Sequence, residues 1–281
     1  MTRPRLTNRN LLLAHRQRGA KSTDTPFLHV EAQLELQERL AEVNRSFTAP
    51  AIVTGHPSVW ADFLPAAKII PDAELLDLQP DAHDIIVHAM ALHWADDPVG
   101  QIIQCRRALK EDGLFVGVCF GEQTLAELRV CLAQAETRIR GGIAPRVAPM
   151  AELRDLGALL QRSGLAMPVA DISSRQVEYR NLKTLVSDLR TMGETNALAA
   201  RDPIPLTKRI WNIATETYSV QFAGANAPYR ASFDLIFLIG WAPADSQPKP
   251  LRPGSATTRL ADALGVPELD PTLKPKNDAD P

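Results

Sequence analysis

The chain has 281 residues, 45% of them hydrophobic, and a formal charge of −2. That is enough apolar material for one sizeable α/β core, and the near-neutral balance argues against a protein that coats nucleic acid. No run approaches the roughly 18 consecutive apolar residues that a membrane-spanning helix needs. The cysteines, Cys105, Cys119 and Cys131, are odd in number and widely spaced, which fits a reducing compartment better than a disulfide framework.

The chain opens on a basic stretch in which Arg3, Arg5, Arg9, Arg16, Arg18 and Lys21 precede the first acid, Asp24. Such a stretch is either an organelle transit peptide or a basic arm that packs on its own domain or on a partner. Over 29–47, Val30, Leu34, Leu36, Leu40 and Val43 recur at near-helical spacing among charges, which predicts an amphipathic helix. Ala51-Ile52-Val53-Thr54-Gly55 reads as a buried strand closed by glycine. A helix over 57–64 follows, with Pro57 in its first turn and Pro65 at its end. Lys68-Ile69-Ile70 is a candidate short strand. Asp84-Ile85-Ile86-Val87-His88-Ala89-Met90 is a clear one, because a doubly covered parallel sheet requires continuous apolar runs.

Asp96-Asp97-Pro98 then supplies a capping acid and a first-turn proline for a helix that runs to about Lys110. Asp112-Gly113 turns the chain into a second buried strand over 114–120. Strand, helix, turn and strand in succession make a βαβ unit, and hence a parallel sheet with a right-handed crossover. Further helices are predicted over 122–140, 150–163, 181–191 and 204–221, and a last strand over 232–241. Beyond Gln247 prolines accumulate, and 274–281 reads as disordered. The organisation is a basic arm over 1–28, one domain over 29–247 and a proline-rich tail over 248–281.

Ligands of open parallel sheets bind beyond the carboxyl ends of the strands. The candidates there are Gly55-His56, Asp72, Ala91-Leu92-His93-Trp94 and Gly121-Glu122. His88 and His93 stand too far apart along a strand to chelate a metal easily. No histidine–carboxylate spacing is diagnostic, so no metal is expected.

Several blocks resemble a known family. They are Ala91-Leu92-His93-Trp94-Ala95-Asp96-Asp97 and the stretches 106–115, 120–129, 141–149, 154–164, 188–197, 240–243 and 246–255. Together they are similar to class I methyltransferases, and more specifically to the bacterial relatives of mitochondrial complex I assembly factor 5. More distantly they resemble the malonyl-carrier-protein methyltransferases of biotin synthesis. Asn8-Arg9-Asn10-Leu11-Leu12 with Arg16-Gln17-Arg18 resembles the same group's basic start, which favours the arm over the transit peptide.

The resemblance implies a Rossmann-like α/β fold, the class I methyltransferase sheet with helices on both faces. It also implies S-adenosylmethionine as cofactor, with Gly55, Asp72, Leu92, His93 and Trp94 as the positions to hold it. Only one glycine follows the first strand, in Val53-Thr54-Gly55-His56-Pro57, where the family places an Asp-Leu-Gly and spaced glycines. Thirteen residues separate Ile70 from Asp84, so the sheet is expected to be reduced in its N-terminal half, with the second-strand region deleted. Arg146, Arg154, Arg190, Glu194, Trp241 and Gln247 are the expected surface for a substrate or partner. The implied work lies in maturation of the respiratory NADH:quinone oxidoreductase, in the bacterial cytoplasm or at the inner membrane through a partner subunit. Two functions follow: a methyltransferase or hydroxylase of that group, or a catalytically inactive member that binds a partner during assembly.

Overall fold

Continuous apolar runs become the strands of one six-stranded sheet, in the order β2-β1-β3-β4-β6-β5. The strands are β1 (Pro50–Thr54), β2 (Lys68–Pro71), β3 (His83–Ala89), β4 (Leu109–Phe120), β5 (Ala166–Tyr179) and β6 (Tyr229–Trp241). β1 pairs in parallel with β2 and β3, and β3 with β4, while β6 runs antiparallel between β4 and β5. This computed structural model describes residues 5–223, 228–248, 258 and 260–266. They fall into two compact units, Met1–Ala244 and Asp245–Pro281, and the sheet lies in the first. In the second, a five-residue helix, Leu260–Leu264, is described. The expected disorder of 274–281 lies outside the described residues.

The two faces of the sheet follow the strand period of two. Ile52, Ile85, Val87, Val116 and Val118 pack with α2 (Phe27–Glu42), α5 (Ala126–Arg140), α7 (Leu182–Thr191) and α8 (Lys208–Phe222) on one side. Ala51, Val53, Ile86, Phe115 and Cys119 pack with α4 (Pro98–Ala108) and α6 (Leu153–Arg162) on the other. α4 starts as its sequence requires: Pro98 opens it and the Asp97 carboxylate accepts from Gly100 N–H at 3.0 Å. The neighbouring Asp96 does something else, accepting from the backbone N–H groups of Leu6 and Thr7 in the N-terminal arm.

The short run read as a candidate strand over 68–70 is β2, paired directly beside β1. Three features differ from the sequence reading. The helix after β1, here α3, covers only Pro57–Trp60. The turn at Asp112-Gly113 sits inside β4, as an irregularity between the pairs His83–Leu109 and Ile85–Leu114. β5 was not foreseen. It is an edge strand whose residues are mostly half-buried or exposed, with Pro168 beside a register shift, so no apolar run announces it.

The basic arm forms α1 (Arg9–Gly19), capped by the Asn8 side chain accepting from Leu11 N–H. α1 lies against α7, where a side chain at Gly19 would strike the carbonyl oxygen of Thr191. It crosses the carboxyl end of β1, which is where the site forms.

Candidate functional site

The chain leaves β1 outward to β2 and then returns to β3 on the other side of β1. That reversal opens a crevice at the carboxyl ends of β1 and β3. Gly55 follows β1, Asp72 follows β2, and Leu92–Trp94 form a single 3₁₀ turn after β3. Leu92 turns away from the crevice into the core beneath α4. His93 and Trp94 turn towards Glu194.

Glu194 is delivered by the end of α7. Gly193 takes φ +70°, and the N–H of Glu194 bonds back to the carbonyl of Leu189 at 2.8 Å, a glycine-dependent helix stop. The Glu194 Oε2 accepts from Trp94 Nε1 at 2.7 Å and pairs with His93 Nε2 at 3.0 Å. Burial alone would raise this carboxyl. His93, by charge and by hydrogen bond, and then the Arg16 guanidinium outweigh burial and hold it down to about 2, so Glu194 is an enclosed anion at neutral pH.

Arg16 enters the crevice from α1 with its side chain only 4% exposed. Its Nη1 reaches Asp72 Oδ1 and Oδ2 at 2.8 and 2.9 Å, and Arg9 pairs with the same carboxylate. Burial opposes ionisation of Asp72, and the two guanidiniums overcome it, keeping the carboxyl below its usual range. The guanidinium of Arg16 also fills the space over Gly55, so that a Cβ there would fall inside it.

Two histidines complete the cluster. His29 of α2 and His56 pack with ring centroids 4.3 Å apart and planes tilted by 57°, and Trp60 Nε1 donates to His29 Nδ1 at 3.1 Å. Burial lowers both rings, His29 well below its ordinary value and His56 to about 4, so both are neutral at pH 7. Nε2 of His29, Nε2 of His56, Nδ1 of His93, Oε1 of Glu194, and Nε and Nη2 of Arg16 are buried without a hydrogen-bond partner.

A cavity adjoins the cluster on each side. One of about 630 Å³ lies between α1 and the ends of β1 and β2, lined by Arg16, Gly55, His56, Ile69 and Asp72 among others. The other, about 340 Å³, is walled by Trp94, Leu128, Leu189 and Trp211 and also reaches Arg146, Arg190 and Glu194. Arg146 is fixed there by Glu136, which accepts from its Nε at 2.8 Å, and by Asp202 at 3.2 Å. Arg190 is exposed on the last turn of α7.

The structure therefore brings Trp94, Arg146, Arg190 and Glu194 to one cavity, with His93 bonded to Glu194 behind it. Three expected residues lie elsewhere. Arg154 is exposed at the start of α6, on the opposite face of the sheet from α7. Trp241 ends β6 beside Leu114, at the start of the parallel strands, with the Arg45 guanidinium 4.8 Å over its ring. Gln247 lies in the turn that opens the second unit and is half-buried. Sequence reasoning missed Arg9, Arg16, His29 and Trp60 as site residues. Only His56, following the glycine at a strand exit, carried a signal.

The methyltransferase domain family matches residues 38–117. The arginine-hydroxylase NDUFAF5, mitochondrial, of Danio rerio is 34% identical over 206 residues, covering 73% of this chain and 64% of that protein. The malonyl-[acyl-carrier protein] O-methyltransferase of Nitrosospira multiformis is 31% identical over 173 residues, covering 62% of this chain and 54% of that enzyme. Among solved structures, the YcgJ protein of Bacillus subtilis superposes with a TM-score of 0.47 at 14% identity, over 76% of this chain and 99% of that one. Over residues 38–117 the chain therefore resembles the methyltransferase superfamily. It is similar as well to the NDUFAF5 proteins, of which it spans less than two thirds, 64% of the fish protein and 58% of the mouse one.

The superfamily implies S-adenosylmethionine, and the residues present do not suit it as they stand. The carboxylate expected to accept from a ribose is paired with Arg16 and Arg9, and the glycine expected to admit the amino-acid end is covered by Arg16. His56 and Pro57 follow where further glycines would let the backbone approach.

Proposed function

We propose that this protein works in the assembly of the respiratory NADH:quinone oxidoreductase as a partner-binding member of the NDUFAF5 group, without S-adenosylmethionine as methyl donor. What supports the reading most is the cavity of Trp94, Trp211 and Glu194. It offers two indole rings and the ionised carboxylate of Glu194, around a space of about 340 Å³. That chemistry suits a guanidinium at the end of an apolar stem, held by charge-assisted hydrogen bonding and by ring faces. The relatives carry the name arginine-hydroxylase, which supports an arginine of a partner subunit as the group received. Arg190, exposed beside the cavity, suits an acid near that arginine.

The test is fluorescence polarisation with peptides that tile the soluble subunits of the oxidoreductase. An arginine peptide should bind, and its citrulline counterpart should bind at least about tenfold more weakly, a difference of about 1.4 kcal/mol. Equal binding of the two peptides would sink the reading.

Methyl transfer is the second reading, supported by the cavity of about 630 Å³ beside Gly55 and Asp72. It requires Arg16 to leave Asp72. Calorimetric titration with S-adenosylmethionine separates the two: heat at micromolar ligand favours transfer, and silence at millimolar ligand favours partner binding.

A further inference from the structure

Buried polar atoms in folded proteins are almost always paired, so several unpaired ones converging on one point indicate a ligand that completes them. One donor atom from each of His29, His56 and Glu194 lies within 4.8 Å of the other two. His29 Nε2, His56 Nε2 and Glu194 Oε1 are all buried and unpartnered. The three residues come from α2, the turn after β1 and the turn after α7, which is why no sequence spacing announced them. His56 lines one cavity and Glu194 the other, so the trio forms the partition between them.

The geometry points to a binding site for one divalent transition-metal ion, ligated by Nε2 of His29, Nε2 of His56 and Oε1 of Glu194. Two imidazoles and a carboxylate are donors that suit zinc or iron(II), whereas calcium and magnesium take oxygen sets. Bonds of about 2.1 Å place neighbouring ligand atoms roughly 3–4 Å apart, so small side-chain rotations close the set. Glu194 is already oriented, because its other oxygen is held by His93 and Trp94. Arg16 opposes an ion, but its Nη1 is turned onto Asp72, which offsets its charge.

Trp60 makes the site distinctive. An indole N–H only donates, so His29 Nδ1 accepts from it and the proton of the neutral ring sits on Nε2. Ligation through Nε2 moves that proton to Nδ1 and sets two N–H groups face to face. Trp60 must then tilt away, which changes its fluorescence.

The experiment takes the full chain, stripped of metal by a chelator, and titrates it with Co(II), Zn(II) and, under nitrogen, Fe(II). One ion per chain is expected at about micromolar Kd or tighter, with visible d–d bands for Co(II) and a shift in tryptophan emission. H56A and E194Q should each bind at least about tenfold more weakly. W60F, freed of the competing N–H, should bind at least as tightly as the native chain and lose the emission shift. Circular dichroism confirms that each variant is folded. No ion bound at about 100 micromolar, or a folded H56A that binds like the native chain, overturns the site. A folded W60F that binds more weakly overturns ligation through His29 Nε2.

Discussion

Glu194 is enclosed yet ionised, and its Oε2 alone takes both Trp94 and His93. Truncating it leaves a buried indole N–H and an imidazole unpaired, and each such loss is costly in a low-dielectric interior. E194A should therefore lower unfolding stability by about 3 kcal/mol in urea titrations, and E194Q by less, since an amide oxygen still accepts one bond. A loss below about 0.5 kcal/mol for E194A would mean that water serves these groups as well as the carboxylate does. At this scale little of the site was legible. His93-Trp94 stood out at a strand exit and Glu194 in a family block. Nothing in the sequence joins residues 94 and 194, and nothing marks Arg16 among six basic residues as the one that enters the crevice.

Among the elements, the best-read ones are those buried on both faces. β3, α4 and the second half of β4 were legible because a parallel βαβ unit needs unbroken apolar strands and a capped helix between them. β5 was illegible for the opposite reason: an edge strand meets solvent, so polar residues fill it. α1 shows as basic and not as helical, since its fixing contacts are distant ones. Leu12 is fully buried, Gly19 sits against the α7 carbonyls, and the His15 ring meets Thr195 Oγ1 at 2.8 Å. If α1 is what denies the crevice to a nucleoside, freeing Asp72 should admit one. R9S/R16S is expected to bind S-adenosylmethionine at least about tenfold more tightly than the native chain by calorimetry, about 1.4 kcal/mol. Unchanged silence in the double variant would assign the lost affinity to His56 and Pro57 instead.

For the molecule as a whole, the buried histidines set an acid limit. A ring whose folded pKa lies below its unfolded value contributes stability that is complete above the unfolded value and lost as pH falls towards the folded one. His56, lowered from 6.5 to about 4, contributes about 3 kcal/mol that disappears across that window, and His29 acts with the same sign. Glu194, held at about 2 against 4.5 in a free chain, is lost only in more acid solution. Urea midpoints should thus fall steadily between pH 6.5 and 4, and H56Q should flatten the decline. A midpoint constant over that range would show that the His56 proton is accommodated in the fold. The strand order carries a separate consequence for how the protein is made. β6, residues 229–241, lies between β4 and β5. Until it leaves the ribosome, both neighbours present an open edge to other chains, and the sheet cannot close. A chain cut after residue 228 is therefore expected to scatter light as it aggregates, where the chain that includes β6 stays dispersed.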